Sequence, residues 1–242
     1  MIVKAKKFSK EKSQMDIPYR VNRSRKRKKT IALQISDRAE LIIRAPYFTP
    51  MDEISRFVAE KQNWIEKAVQ KQRDRVAAEA NRQFATGETF YYLGEPYPLN
   101  VFFDPLAAEG VAINNPCLDL NAPDHRALKK HYLVRWYREK AKTIIRERVD
   151  FFSAMLKLPY GKVKITSAQK RWGSCSARND LSFSFRLVMT PPPVIDYVVV
   201  HELSHIKHKN HSAMFWKQVE QVIPEHRKLR RWLKDHHDQF NL

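Results

Sequence analysis

The chain has 242 residues, 43% of them hydrophobic and only five of them glycine, and carries a net charge of +19 from 45 Lys and Arg against 26 Asp and Glu. Length and apolar content describe a folded globular protein of one large or two small domains, and no apolar run approaches the roughly 18 residues of a membrane-spanning helix. Two cysteines, Cys117 and Cys175, make no disulfide framework, and Met1-Ile-Val-Lys-Ala-Lys-Lys is too short in its apolar part for a signal peptide, so a reduced, cytoplasmic setting is expected. The positive surplus reads either as a solvated surface or as attraction to polyanions such as nucleic acid, nucleotides or acidic peptides.

Residues 17–46 alternate around the basic run Arg23-Ser-Arg-Lys-Arg-Lys-Lys29, which predicts a small antiparallel meander with a turn at Asp37-Arg-Ala-Glu40. The run itself suits an exposed loop or edge strand, or a nucleic-acid contact. Thr49-Pro50 opens a predicted helix, with Thr49 as N-cap, Pro50 at the first helical position and Asp52 and Glu53 in the first turn. Its buried stripe is Ile54, Phe57, Val58, Lys61, Trp64, Ile65, Ala68 and Val69, and it frays into a polar linker beyond Gln70.

Residues 88–120 read as short strands near 89–93, 99–103, 111–113 and 117–120. Ala122-Pro-Asp124 begins a long helix to about residue 157, with Leu128, His131, Tyr132, Val134, Arg135, Trp136, Ala141, Ile144, Ile145 and Phe151 on its apolar stripe. His125 and His131 have no partner at ligand spacing and read as ordinary helix residues. Strands follow at 162–168 and 181–185, joined through the loop 169–176, and they place an edge strand beside the next helix, where an extended peptide can bind by strand addition. Thr190-Pro-Pro-Pro193 starts that helix, Ser212 caps the following one, and 227–237 form a last basic helix.

The helix begun at 190–193 carries His201-Glu-Leu-Ser-His205. Positions four apart lie about 40° from one another round a helix, so His201 and His205 can share one metal ion, and Glu202 can reach a metal-activated water as general base. A catalytic zinc takes three protein ligands and leaves the fourth position open. His211 leads as the third ligand because it follows His205 at the spacing of the extended pattern His-Glu-x-x-His-x-x-Gly-x-x-His. His208 replaces the glycine of that pattern, so Lys209-Asn210 are expected to turn the chain, with Asn tolerating left-handed φ/ψ. Glu220 and His208 are the rival third ligands.

Three segments, Arg171-Trp-Gly-Ser-Cys-Ser176, Val194-Ile-Asp-Tyr-Val-Val-Val-His-Glu-Leu-Ser-His205 and Asn210-His-Ser-x-x-Phe-Trp216, closely resemble the YgjP-like metallopeptidase family, relatives of the SprT-like proteases. The resemblance is specific over residues 165–235. It implies an α+β, zincin-like core with zinc at His201, His205 and His211 and Glu202 as the catalytic glutamate, and it favours His211 over Glu220. Ser184 or Phe185 stands where the family usually carries Asn in the strand ahead of the helix. Residues 1–121 are then grouped as a β-rich region with one helix, and 122–242 as the metallopeptidase domain.

Three functions remain in view from the sequence. In peptide hydrolysis, Glu202 takes a proton from the attacking water and Arg171 is the candidate cation for the oxyanion. The resemblance also admits a nucleotide pyrophosphatase acting on UTP, although no Gly-rich phosphate cradle or carboxylate cluster for Mg²⁺ accompanies the motif. A basic nucleic-acid protein with a structural zinc would need a fourth protein ligand. Cys175 reads as a buried, inert thiol or, less simply, a metal ligand of a pro-form.

Overall fold

The structure is a computed structural model that describes residues 17–240 and 242. Met1 to Lys7, read above for a signal peptide, lie outside the described residues. The chain divides into two compact units, one ending at Arg82 and one spanning Gln83–Leu242.

In the first unit, β1 (Tyr19–Ser24), β2 (Ala32–Ile35) and β3 (Leu41–Pro46) form a sheet in the order β1-β3-β2. The most apolar strand, β3, buries Leu41, Ile43 and Ala45 completely. It takes the centre, where both of its backbone edges are paired: antiparallel to β2 across the turn at 36–40, and parallel to β1. The expected meander is therefore corrected, because the basic loop after β1 carries the chain past β3 to its far side. Ile54 and Val58 of α1 (Met51–Glu60), with Ile65 and Val69 of α2 (Gln62–Asn81), complete this core. Pro50, not Thr49, precedes the first turn of α1, and Lys61 interrupts the predicted single helix at φ −101° and ψ 10°. Past Gln70 the helix persists, since its Lys, Gln, Arg and Ala are good helix formers and Gln70 donates to Asp74 one turn on, 2.7 Å away.

The second unit is a mixed α+β fold. Strands β4 (Thr89–Tyr92), β5 (Glu95–Phe102), β6 (Gly110–Asn114) and β7 (Cys117–Asn121) stand close to where the sequence puts them, in the order β4-β5-β7-β6. At the β4–β5 turn, the Leu93 and Gly94 N–H groups donate to the carbonyls of Val188 (2.8 Å) and Met189 (3.2 Å). Glycine is required at 94, where φ is +88° and a Cβ would lie 2.8 Å from Pro191 Cγ. This sheet shares one core, through Phe90, Leu99, Leu118 and Leu120, with the helices that follow. Residues 89–121 thus belong with the C-terminal unit rather than with the sheet at 17–46.

Helix α3 (Arg126–Leu156) buries Lys129, Leu133, Tyr137, Ala141, Ile145, Val149 and Phe152. Steps of four drift about 40° each, so the buried stripe winds round the helix and leaves Leu128 and Phe151, both assigned inward from sequence, exposed. Strands β8 (Val163–Thr166), β9 (Gly173–Cys175) and β10 (Leu181–Ser184) follow in the order β8-β10-β9, with β10 parallel to β8 and antiparallel to β9. The edge strand β9 lies inside the segment read as a loop. After a 3-10 turn at Phe185–Met189 come α4 (Pro192–Lys207), α5 (Ala213–Val222) and α6 (His226–Asp235). Val194, Ile195, Val198, Val199, Val200 and Leu203 bury α4 on most of its circumference. A two-pronged ion pair, Arg148 to Asp196 at 2.6 and 2.8 Å, ties it to α3. No helix among the described residues is long and apolar enough to cross a membrane.

Candidate metal centre

The last turns of α4 present His201 and His205 from one face, as the four-residue spacing requires. The chain then leaves the helix through His208, which is extended at φ −121° and ψ 96°. Asn210 is not among the residues of positive φ, so the left-handed turn expected there is not used. Lys209 pins the loop instead, donating to Asn179 Oδ1 at 2.6 Å, and Ser212 caps α5 by accepting from the Phe215 N–H at 3.4 Å. Held between these anchors, His211 returns to α4. Its Nε2 stands 3.1 Å from His201 Nε2, and donor atoms of His201, His205 and His211 all lie within 4.8 Å of one another.

Among the described residues, neither rival third ligand joins this group. His208 contributes its backbone: its carbonyl takes a hydrogen bond from His205 Nδ1 at 3.0 Å, which leaves Nε2 of that ring for a metal. Glu220 lies on α5 and lines a neighbouring cavity with Trp216. The three-imidazole set fits a divalent zinc-like ion, whose nitrogen ligands at about 2.0–2.1 Å in tetrahedral array stand roughly 3.3 Å apart. Electrostatics favours the ligating form as well. Burial, reinforced by the neighbouring histidines and Arg230, pushes His201 down to about 3, and burial with His205 and Arg230 lowers His211. Both rings are therefore neutral, with lone pairs available, at physiological pH.

Glu202, next to the first histidine, is 6% exposed. Its side chain packs on the backbone of β9 at Gly173, where an added Cβ would lie 2.6 Å from Glu202 Cγ and 2.7 Å from Oε1. Burial pushes the Glu202 carboxyl up to about 8, against the pull of the Arg171 guanidinium. Arg171 itself is exposed at the end of the loop before β9. That loop is held from behind: Ser184 donates from Oγ to the Ala168 carbonyl at 2.8 Å and from N–H to the Trp172 carbonyl at 2.8 Å, and buried Arg186 donates to Ala168 O at 3.0 Å. Trp172 packs on His237 and Phe240 with the Arg186 guanidinium over its ring. Cys175 ends β9, and burial raises its thiol, as suits an inert cysteine.

Sequence reasoning missed Gly173, the Ser184 and Arg186 braces, and Arg230 on α6. Two of these left a signal without a role: Gly173 stands inside the family-like segment 171–176 and is one of only five glycines in the chain, and Ser184, with Phe185, stands where the family usually carries Asn.

Three imidazoles gathered at one point, with a buried carboxyl group next to them in sequence, make a donor set that could hold a metal ion. The model of the YgjP-like, metallopeptidase domain family matches residues 29–236. The chain belongs to this YgjP-like metallopeptidase family, and it is a metallopeptidase-type hydrolase. Comparison with curated proteins finds no match. Among solved structures, it is similar to the crystal structure of the metallopeptidase zymogen of Pyrococcus abyssi abylysin, at 20% identity and a TM-score of 0.35, over 38% of this chain and 94% of that one.

Proposed function

We propose that the protein is a zinc metallopeptidase in which His201, His205 and His211 hold the ion and Glu202 is the general base. The observation that carries the reading is the convergence of three imidazole donors within 4.8 Å, with the adjacent Glu202 buried against β9. Bound zinc supplies a Lewis acid that polarises a carbonyl and brings the pKa of water toward about 7. Glu202 accepts the proton of the attacking water and returns it to the leaving amine, a role suited to a carboxyl whose basicity burial has raised. Arg171 is assigned the developing oxyanion, since its charge already reaches the Glu202 carboxylate. As an edge strand, β9 offers one side for an extended substrate to add as a further strand.

The candidate ligands are three nitrogens and no carboxylate, a set that suits zinc better than the oxygen-ligated Mg²⁺ of nucleotide hydrolysis. The same set is one donor short of a closed structural zinc site. Peptide hydrolysis is accordingly preferred over UTP hydrolysis and over a structural role. The test is to load the purified protein with zinc and assay a peptide pool and UTP side by side with the Glu202→Gln variant. Glu202-dependent peptide cleavage supports the reading, and Glu202-dependent UTP hydrolysis without peptide cleavage replaces it.

A second surface has its own observation. In the first unit, Arg25, Arg27, Lys28, Lys29, Tyr47 and Phe48 line a cavity of about 730 Å³. Phe48 is 89% exposed, and the Arg25 guanidinium lies 5.0 Å from the Tyr47 ring centre. Cations interleaved with open aromatic faces are the elements of a single-strand nucleic-acid contact, and we assign that partner to the basic run.

A further inference from the structure

Helix α6 carries Arg227, Arg230, Arg231 and Lys234, spaced i, i+3, i+4 and i+7, so four cations share one face. These four, together with Trp216, Glu220 and His226, line a cavity of about 780 Å³. Four cations there meet a single carboxylate. The cavity adjoins the candidate metal centre, since the Trp216 ring stacks on His211 with centroids 5.7 Å apart and on His226 at 5.5 Å. Arg230 bridges the two sites: its guanidinium lies 5.2 Å from the Trp216 ring centre, and its charge is felt at His201 and His211.

A solvated face on an amphipathic helix accounts for the cations. It does not account for their convergence on a walled cavity with Trp216 and His226, whose rings stack on each other and the second of which is 3% exposed. Four cations gathered on one cavity against a single carboxylate leave its lining positive, which favours an anionic ligand. Its one aromatic besides the histidine, Trp216, is already stacked between His211 and His226, so the lining offers no open ring for a base and suits a carboxylate better than a nucleic-acid strand.

We propose that this cavity is the substrate subsite for a carboxylate, so that the enzyme selects peptides bearing an acidic side chain or a free C-terminus next to the bond it cuts. The proposal rests on the peptidase reading above. Guanidinium groups supply forked donors to a carboxylate, and Trp216 walls the path between that anchor and the metal centre. Glu220, the one acid in the lining, disfavours a second negative charge at its end of the cavity.

The test uses the full chain loaded with zinc and carrying Glu202→Gln, so that peptides bind without being cut. One fluorescein-labelled peptide is titrated in four forms: with an internal Asp pair or Asn pair, and with a free or amidated C-terminus. Carboxylate forms should bind roughly tenfold tighter or better, as charge-assisted hydrogen bonds give. In the double variant Arg227→Gln with Arg231→Gln, that preference should shrink to about twofold or less, with zinc content and melting temperature held. Loss of the preference on amidation identifies the chain end, and loss on Asp→Asn identifies the side chain. Equal binding of all four forms overturns the proposal, as does a preference that survives the double variant. So does a single-stranded oligonucleotide that displaces the acidic peptide from the parent but not from the double variant. Hydrolysis by the parent is followed in parallel, so acidic peptides that bind through Arg227 and Arg231 yet are never cut count against the peptidase reading and not against the carboxylate site.

Discussion

Gly173 and Glu202 occupy each other's space: a Cβ at residue 173 would stand 2.6 Å from Glu202 Cγ. The edge strand β9 and helix α4 thus meet at a residue with no side chain, and the carboxyl group of the candidate base takes the position that a side chain on β9 would fill.

Gly173→Ala should displace Glu202 while leaving the three histidines in place. Overpacking of this kind costs about 1–3 kcal/mol, and a misplaced base costs on the order of 100-fold in turnover. Zinc content should stay near that of the parent. Measurement of melting temperature, bound metal and hydrolysis on one preparation checks all three, and full activity in Gly173→Ala would show that Glu202 does not need its present position.

Glu202→Gln should remove turnover and keep the metal, because the amide is nearly isosteric but accepts no proton. It should also alter the stability of the metal-free protein in one direction. Burial raises the folded-state pKa of Glu202 from 4.5 to about 8, so the cost of folding around an ionised carboxylate is absent below about pH 4.5, grows as pH rises, and is complete above about pH 8. The variant should therefore match the parent in acid and exceed it, by up to ~4 kcal/mol, near pH 8. Denaturant melts at pH 5 and pH 8.5 read the difference, and a variant no more stable at the higher pH contradicts the assigned burial.

His211→Ala should lower zinc affinity at least tenfold, whereas Glu220→Ala should leave it unchanged. Ligand protonation competes with metal, yet His201 stays unprotonated down to about pH 3 and His211 is lowered as well. Between pH 6.5 and pH 5, the logarithm of zinc affinity should therefore fall with a slope well short of the three protons that free imidazoles would take up. Competition titrations with a chromogenic chelator give the slope directly.

For the basic run, two substitutions separate charge from stacking. Neutralising Arg25, Lys28 and Lys29 should flatten the salt dependence of nucleic-acid binding, by about 0.7 in slope for each single-strand phosphate that is no longer neutralised. Phe48→Ala should keep the slope and weaken single strands by roughly 5- to 100-fold while sparing duplex, as loss of one stacked base does. Anisotropy titrations at two salt concentrations test both, and zinc content should not change in either.

What the sequence determined by itself was local. The i, i+4 spacing of His201 and His205, the cap at Ser212 and the alternating strands at 89–121 all follow from geometry spanning a few residues, and they stand where that geometry puts them. Spacing also put His211 first as third ligand, and the family-specific segments supported it over Glu220 and added the zincin-like α+β class.

Tertiary structure decided everything that depended on a distant neighbour. Because β3 is the strand that must be buried, it was paired on both sides, and β1 became its parallel partner across the basic loop. The buried stripe of α3 was chosen by the elements it crosses over 31 residues, which no single-helix pattern contains. Residues 173–175 carry no strand signature of their own and became an edge strand by pairing with β10. Gly173 acquired its role from Glu202, 29 positions later, and Arg230 reached the histidines from another helix. Chain spacing sets which side chains share a face, but burial and close approach are properties of what the fold brings alongside, and these made a buried carboxyl from one glutamate and a cationic cavity from one basic helix.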